Sequence, residues 1–296
     1  MSTATGAAGV AIAFLSYSSV IYMIYYCLDI FLEELSVDRH TGELRGLYSI
    51  FLNGGIMLGP LLVVLIARDD NVRPVYLVGA ALLIVAVLLL SNSFKIKNNH
   101  HKEPIPLPFK KWRHSANIRR VTLAKLVLEI FFTLMVIYTP LYLHNELGFA
   151  WRELGIIFTI MLLPFVIFEW PVGELADRFW GEKEMMSLGF FITGSALLIM
   201  PFLDKVFAAW LLILLLSRVG ASIVEITTES YFFKQISASE TGMLSIFRLV
   251  RPVGIILGAL IGALTLQILA FTTIFFVVAF VIFLGIRESA YLKDTL

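Results

Sequence analysis

Long apolar stretches alternate with short polar ones along almost the whole chain. A helix needs about 20 apolar residues to cross the hydrocarbon part of a bilayer. The pattern therefore predicts an all-α, polytopic membrane helix bundle with about nine spans. The run from Val253 to Ile286 is too long for one span, so we divide it at Thr265 to Gln267. The predicted spans are 6–31, 44–67, 72–92, 120–143, 153–173, 184–203, 206–233, 241–265 and 268–286.

Composition agrees with a membrane protein. Hydrophobic residues make up 59% of the chain and charged residues 15%, whereas soluble domains carry about 25% charged residues. The formal net charge of +1 leads us to expect no nucleic-acid partner. Cys27 is the single cysteine, so an internal disulfide is excluded.

Basic residues are distributed unevenly among the predicted loops. The positive-inside rule places the loops richest in lysine and arginine in the cytoplasm, which predicts that loop 94–119 and the C-terminus lie on the inner face of a plasma or inner membrane. The N-terminus is then outside. No signal peptide is evident, so we expect that a preceding part of the protein is missing from this chain. The basic residues of the richest loop are Lys95, Lys97, Lys102, Lys110, Lys111, Arg113 and Arg119.

The same loop separates two predicted domains. Residues 94–119 contain an Asn-Asn-His-His run and three prolines, which indicates a polar, semi-extended linker. It divides three helices in 1–93 from a six-helix bundle in 120–296. The pair His100 and His101 could bind a metal. Because no cysteine or carboxylate cluster accompanies this pair, we expect neither a metal site nor a cofactor.

A charged, glycine-punctuated turn lies between two apolar runs at 173–183. It is similar to the loop signature Gly-x-x-x-Asp-Arg-x-Gly-Arg-Lys of the major facilitator superfamily. It has one extra residue before the second glycine, and Glu182 stands where a basic residue is usual. The chain resembles that family over essentially its whole length, which implies helices four to twelve of a twelve-helix carrier. The matching residues are Gly173, Asp177, Arg178, Gly181 and Lys183.

A second partial signature lies in span 44–67. It resembles the fifth-helix motif of the family's proton-coupled antiporters, although Val63 and Val64 stand where that motif has a glycine pair. An efflux antiporter and simple close packing of small residues are both open explanations. For Gly254, Gly258 and Gly262 we prefer close packing. The motif residues are Gly46, Gly55, Gly59 and Pro60.

Ionisable side chains within spans are costly and mark functional positions. Lys125 and Glu129 lie four residues apart and so share one helix face, with Glu129 near the midplane. The resemblance implies that spans 6–31, 120–143 and 206–233 line the central cavity. We therefore expect Glu129, Arg218 and Glu225 to contact substrate or protons, with Lys125 beside them. A structural ion pair is the alternative for Lys125 with Glu129, and for Glu225 with Arg248 or Arg251. Candidate aromatic walls, for which we prefer packing or interface roles, are Tyr17, Tyr22, Tyr25, Tyr26 and Tyr138.

The resemblance also implies a latch at the cytoplasmic face. We expect Asp177 to cap the span that begins near Gly42, and Arg178 or Lys183 to pair with Glu229. The charged residues expected to gather there are Asp29, Glu169, Asp177, Arg178 and Glu229.

The function implied is secondary active transport of small molecules by alternating access, with protons as the expected coupling ion and the chain acting as a monomer in the lipid bilayer. A non-transporting fragment, partner subunit or sensor derived from such a carrier is the alternative. The spans contain no H-E-x-x-H and no G-x-S-x-G motif, so we do not expect an enzyme.

Overall fold

The computed structural model describes residues 16, 20, 21, 23–25, 28, 41–66, 73–93, 106–176, 180–236 and 241–293. No strand occurs among them, and almost all are helical, so the predicted all-α class is confirmed. The chain divides into two compact units, Met1–His100 and His101–Leu296.

The first unit contains two well-defined helices, α1 (Thr41–Ile66) and α2 (Arg73–Ser93). They correspond to the predicted spans 44–67 and 72–92. Their apolar stretches are Phe51–Ile66 and Pro74–Leu89, and many of those side chains are exposed, as befits helices in an apolar environment. The predicted span 6–31 lies mostly outside the described residues, and the positions described within it are helical.

The second unit carries most of the described helices. Five stretches are long and apolar enough to cross a membrane: Ala116–Glu146, Glu182–Phe202, Phe207–Gln235, Gly242–Ile268 and Thr273–Ala290. In order, the helices are α3 (Pro106–His114), α4 (Ala116–Leu141, extended by a π turn at Tyr142–Glu146), α5 (Trp151–Met161), α6 (Leu163–Ile167), α7 (Glu169–Leu175), α8 (Glu182–Ile199), α9 (Phe207–Gln235), α10 (Thr241–Ile268) and α11 (Thr273–Ala290).

Three details of the sequence prediction are wrong. The semi-extended linker contains helix α3, which begins at Pro106. A proline is compatible with the first helical position because its missing N–H costs no hydrogen bond there. The single span 153–173 is three short helices, α5 to α7. Pro164 lies just after the break at Leu162 and cannot donate to the carbonyl one turn earlier. The last two spans separate at 269–272, a few residues beyond the predicted boundary.

Helix α4 lies at the centre of the second unit, in contact with α9, α10 and α11. Helix α9 also packs along α8, and α11 contacts α8 as well as α4. At one end of the unit the ring of Tyr142 meets that of Phe275 edge-on, with centroids 5.1 Å apart, and Trp210 packs beside both. This packing directs the polar residues of α4 and α9 toward one another.

Candidate substrate and proton site

Lys125 lies among three carboxylates inside the second unit. Its Nζ donates a hydrogen bond to Oε1 of Glu225 at 3.3 Å and lies 3.4 Å from Oε1 of Glu229. Oε1 of Glu129 is 3.7 Å away. Only 7% of the Lys125 side chain is exposed, so these ion pairs form in a poorly hydrated environment.

The cluster forms where two pairs of charged residues, one pair on α4 and one on α9, face each other. Lys125 and Glu129 are one turn apart on α4, and Glu225 and Glu229 are one turn apart on α9. Arg248 of α10 contributes a contact of 3.5 Å to Glu229. The expected Lys125–Glu129 pair is therefore present, but as part of a larger group. Glu225 pairs with Lys125 instead of with Arg248 or Arg251.

Of the three carboxylates around Lys125, Glu129 has the least access to water. Its side chain is 8% exposed, against 33% for Glu225 and 27% for Glu229. Among the described residues no side-chain or backbone donor hydrogen-bonds to its carboxylate, and its cation is nearer to the other two acids. A buried charge without hydrogen bonds is costly, so Glu129 is the most poorly solvated acid of this cluster.

Helix α10 lies directly against Glu129 because the three residues of α10 that face α4 here are glycine. A Cβ at Gly254 would be 2.5 Å from Cβ of Glu129, closer than side chains pack. Gly258 faces Thr133 in the same way, and Gly262 faces the ring of Tyr138. The close-packing explanation for these three glycines is confirmed, and their contact surface includes a candidate site residue.

Arg218 is a buried cation on the same face of α9 as Glu225. The two are seven residues apart, which is two turns or about 10 Å. Arg218 is 1% exposed, and its guanidinium lies 5.0 Å from the ring of Phe131 and 5.6 Å from that of Phe132. Its Nε has no hydrogen-bond partner, and no carboxylate lies within 4 Å of it in the described part of the chain. The side chain thus retains donors for an anion.

The tyrosine candidates separate in the structure. Tyr138 is 9% exposed, and its hydroxyl donates to the carbonyl oxygen of Ala259 at 3.2 Å. With the contact at Gly262, this favours packing over ligand contact. Tyr25 is helical and half-buried in the first unit, while Tyr17, Tyr22 and Tyr26 lie outside the described residues.

The loop signature is described only in part. Gly173 lies in α7, and Gly181 precedes α8 with φ of +74°, a conformation that favours glycine. Asp177, Arg178 and Asp29 lie outside the described residues, as does the side chain of Glu169. The proposed cap and the pairing of Arg178 with Glu229 therefore stay predictions.

The alternative latch through Lys183 is not formed. Nζ of Lys183 lies 3.9 Å from Glu184, while Glu229 contacts Lys125 and Arg248. Glu229 thus belongs to the same cluster as Glu129. The four-residue spacing of Glu225 and Glu229 was the sequence signal that could have indicated this.

Glu182, the departure from the family signature, has a clear structural role. Its side chain is fully buried, pairs with Lys234 at the end of α9 and accepts a hydrogen bond of 3.0 Å from Oγ of Ser230. The acid therefore ties the start of α8 to the end of α9. Sequence reasoning noticed the unusual acid but not its partner, which lies 52 positions further along the chain.

The glycine motif of α1 behaves differently from that of α10. Pro60 lies inside the helix, and a Cβ at Gly55 or Gly59 would meet no described atom within 4 Å. The described residues therefore show no close packing against these two glycines. Gly46 is helical, and the antiporter interpretation of the motif stays a prediction.

Comparison with known proteins gives a consistent family. The model for the Major Facilitator Superfamily matches residues 23–160 and 130–292. An uncharacterized MFS-type transporter of Enterobacter sp. (strain 638) is 26% identical over 159 residues. The uncharacterized MFS-type transporter YcaD of Escherichia coli (strain SE11) is 25% identical over 159 residues. Each alignment covers 53% of this chain and 40% of the relative, so the chain matches less than half the length of these relatives. Because the family model covers well over half of the chain, this multi-pass membrane chain belongs to the major facilitator superfamily, a family of secondary transporters of small molecules.

Proposed function

We propose that this chain acts in proton-coupled secondary transport of small molecules by alternating access, with the Lys125 cluster as the proton site. The observation that carries the proposal is Glu129, a buried carboxylate that shares its nearest cation with Glu225 and Glu229. Family membership supports transport as the general activity, and the cluster supports protons as the coupling ion.

The cluster can link a proton to a conformational change. While Glu129 is protonated, Lys125 is shared by two carboxylates only, and helices α4, α9 and α10 can pack closely. When Glu129 loses its proton, the added negative charge favours a conformation that admits water or a cation. Proton and substrate affinities are then coupled, each changing the other by the same factor. The charged groups that act on Glu129 are Lys125, Glu225, Glu229 and Arg251.

Arg218 is the proposed substrate contact. A buried guanidinium that lies beside aromatic rings, and whose Nε has no hydrogen-bond partner among the described residues, is suited to an anionic or strongly polar group of the substrate. Arg218→Lys keeps the charge and loses the planar stacking. We expect it to raise the KM for substrate more than it lowers the maximal rate.

The test is flux through the purified full chain in proteoliposomes. A pH gradient should drive uptake of a substrate found by screening, and proton movement should appear on a fluorescent pH reporter inside the vesicles. Glu129→Gln should abolish the dependence on the gradient while exchange of substrate continues. The control is Glu146→Gln, the same change at an exposed position on the π turn that extends α4.

The outcomes separate the alternatives. Flux that is indifferent both to the gradient and to Glu129→Gln rejects proton coupling. Absence of any substrate flux from a folded chain favours the non-transporting fragment, partner subunit or sensor. The direction of proton movement relative to substrate distinguishes a symporter from the efflux antiporter suggested by the glycine motif of α1.

A further inference from the structure

A basic cavity lies at the end of the second unit where α4 begins and α11 ends. Its volume is about 330 Å³. Three guanidinium groups and one carboxylate line it, so the lining carries a clear excess of positive charge. The lining residues are Arg119, Arg120, Leu123, Arg287, Glu288 and Tyr291.

Two of the arginines are held in place by backbone carbonyls. Nη1 of Arg119 donates to the carbonyl oxygen of Arg113 at 2.8 Å. Nη1 of Arg120 donates to the carbonyl oxygen of Tyr291, and its guanidinium lies 5.1 Å from the Tyr291 ring centroid. Each guanidinium has five N–H donors, so these contacts orient the groups and leave donors available.

The arginines of the cavity have no acidic partner in the described part of the chain. Neither Arg119, Arg120 nor Arg287 forms an ion pair there, although Glu288 lines the same cavity. Three cations that line one cavity, two of them oriented by carbonyls and none ion-paired in the described structure, form a site for an anion with several acceptor oxygens. Phosphate is one of the groups that guanidinium binds in a bidentate manner.

The position of the cavity favours a phosphate carried by a lipid. Arg119 and Arg120 lie in the first turns of α4, and Arg287 lies in the last turn of α11. All three are thus at the ends of helices long and apolar enough to cross a membrane, where phospholipid headgroups are expected. From there an exposed stripe runs down α11 through Leu284, 43% exposed, and Phe280, 66% exposed. With Arg287 these residues follow helical spacing and lie on one face, which provides an apolar track for acyl chains directly below the cations.

We propose that this cavity binds the phosphate headgroup of an anionic phospholipid, with the acyl chains along the exposed face of α11. The site lies at the end of the bundle that loop charges predict to be cytoplasmic, where anionic lipid attracts basic residues. This site is separate from the Lys125 cluster and does not depend on proton coupling.

The test is thermal unfolding and native mass spectrometry of the full chain in detergent, titrated with phosphatidylglycerol or with phosphatidylcholine. We expect phosphatidylglycerol to bind more tightly and to raise the midpoint of unfolding. Each arginine near the surface contributes about fivefold in affinity, so Arg119→Gln with Arg287→Gln should weaken binding by about 25-fold. Arg152→Gln, an exposed position at the start of α5, is the matched control and should change nothing.

Two outcomes would overturn the proposal. One is equal binding of phosphatidylglycerol to wild type and to the double variant. The other is competition by inorganic phosphate or glycerol phosphate at the concentration at which it binds alone, which would assign the cavity to a soluble phosphate. If the double variant does not fold, the single variant Arg287→Gln is tested instead. The Arg287 side chain makes no hydrogen bond in the described structure, so its replacement should leave the fold intact. Unchanged phosphatidylglycerol affinity of Arg287→Gln also overturns the proposal.

Discussion

Replacing Lys125 with methionine preserves most of the side-chain volume and removes the charge that three carboxylates share. The nitrogen lies 3.3, 3.4 and 3.7 Å from Glu225, Glu229 and Glu129. At an effective dielectric constant of about 20, each such pair attracts by about 5 kcal/mol. The attractions do not add, because the carboxylates repel one another and two of them are partly hydrated.

The net loss in the free energy of unfolding depends on the carboxylates that remain buried without Lys125. Breaking a buried ion pair on one side costs about 3–5 kcal/mol, and the partial exposure of Glu225 and Glu229 puts Lys125→Met at the lower end. For a domain of this size, about 3 kcal/mol corresponds to a fall of roughly 6–12 °C in the midpoint of unfolding. Fluorescence of Trp210, which is fully buried, reports the transition in detergent.

The pH dependence of the difference in unfolding midpoint between Lys125→Met and wild type gives a second measurement. Without the ammonium group, Glu129 and Glu225 lose the cation that they share, while Glu229 keeps its contact with Arg248. Lowering the pH from about 8 to about 5 favours protonation of the stranded, buried Glu129, so the difference in unfolding midpoint between variant and wild type should narrow. Adding Glu129→Gln to Lys125→Met removes one of the stranded charges and should recover part of the loss.

The matched control is Lys110→Met, since that lysine is exposed in α3 and its removal should leave the midpoint within about 1 °C, as for most surface substitutions. The reasoning is refuted if Lys125→Met unfolds at the same temperature as wild type. It is also refuted if the gap is the same at every pH.

Two further substitutions test the packing around the site. Gly254→Ala places a methyl group 2.5 Å from Cβ of Glu129 and should destabilise the fold by about 1–3 kcal/mol. Gly55→Ala, where the methyl group meets no described atom within 4 Å, is the control and should leave the unfolding midpoint unchanged. Equal effects of the two substitutions would contradict the packing. Glu182→Gln removes the charge of the buried partner of Lys234 and should lower the free energy of unfolding by about 1–3 kcal/mol. In a double-mutant cycle, Glu182→Gln should cost less when Lys234 is already methionine. Additive losses would show that the two side chains are not coupled.

The positions of the helices were accessible from sequence because a bilayer demands long apolar runs. The prediction of 206–233, for example, corresponds to α9 at Phe207–Gln235. The prediction failed at Pro164, where the apolar run is continuous and only the missing N–H breaks the helix into α5 and α6. Hydropathy measures the environment of a segment and does not register the hydrogen bonds inside it.

The sequence predicted individual residues of the candidate site but not their arrangement. Four-residue spacing placed Lys125 with Glu129 on one helix face, and burial of charge made both conspicuous. The spacing could not show that Glu225 and Glu229, about 100 positions away, would surround the same ammonium. It also assigned Glu229 to the latch and left the partner of Glu182 unidentified, because contacts between helices depend on how each helix is rotated about its axis.

Sequence alone thus determined that this chain is an all-helical membrane protein of the major facilitator type, since span length, loop charge and a short signature suffice for that. Tertiary structure decided which charged groups meet, which glycines are contact points and where a cavity lined by three arginines forms. The physical reason is that apolar burial acts on each segment separately. An ion pair between helices exists only when packing brings two side chains within about 4 Å of each other.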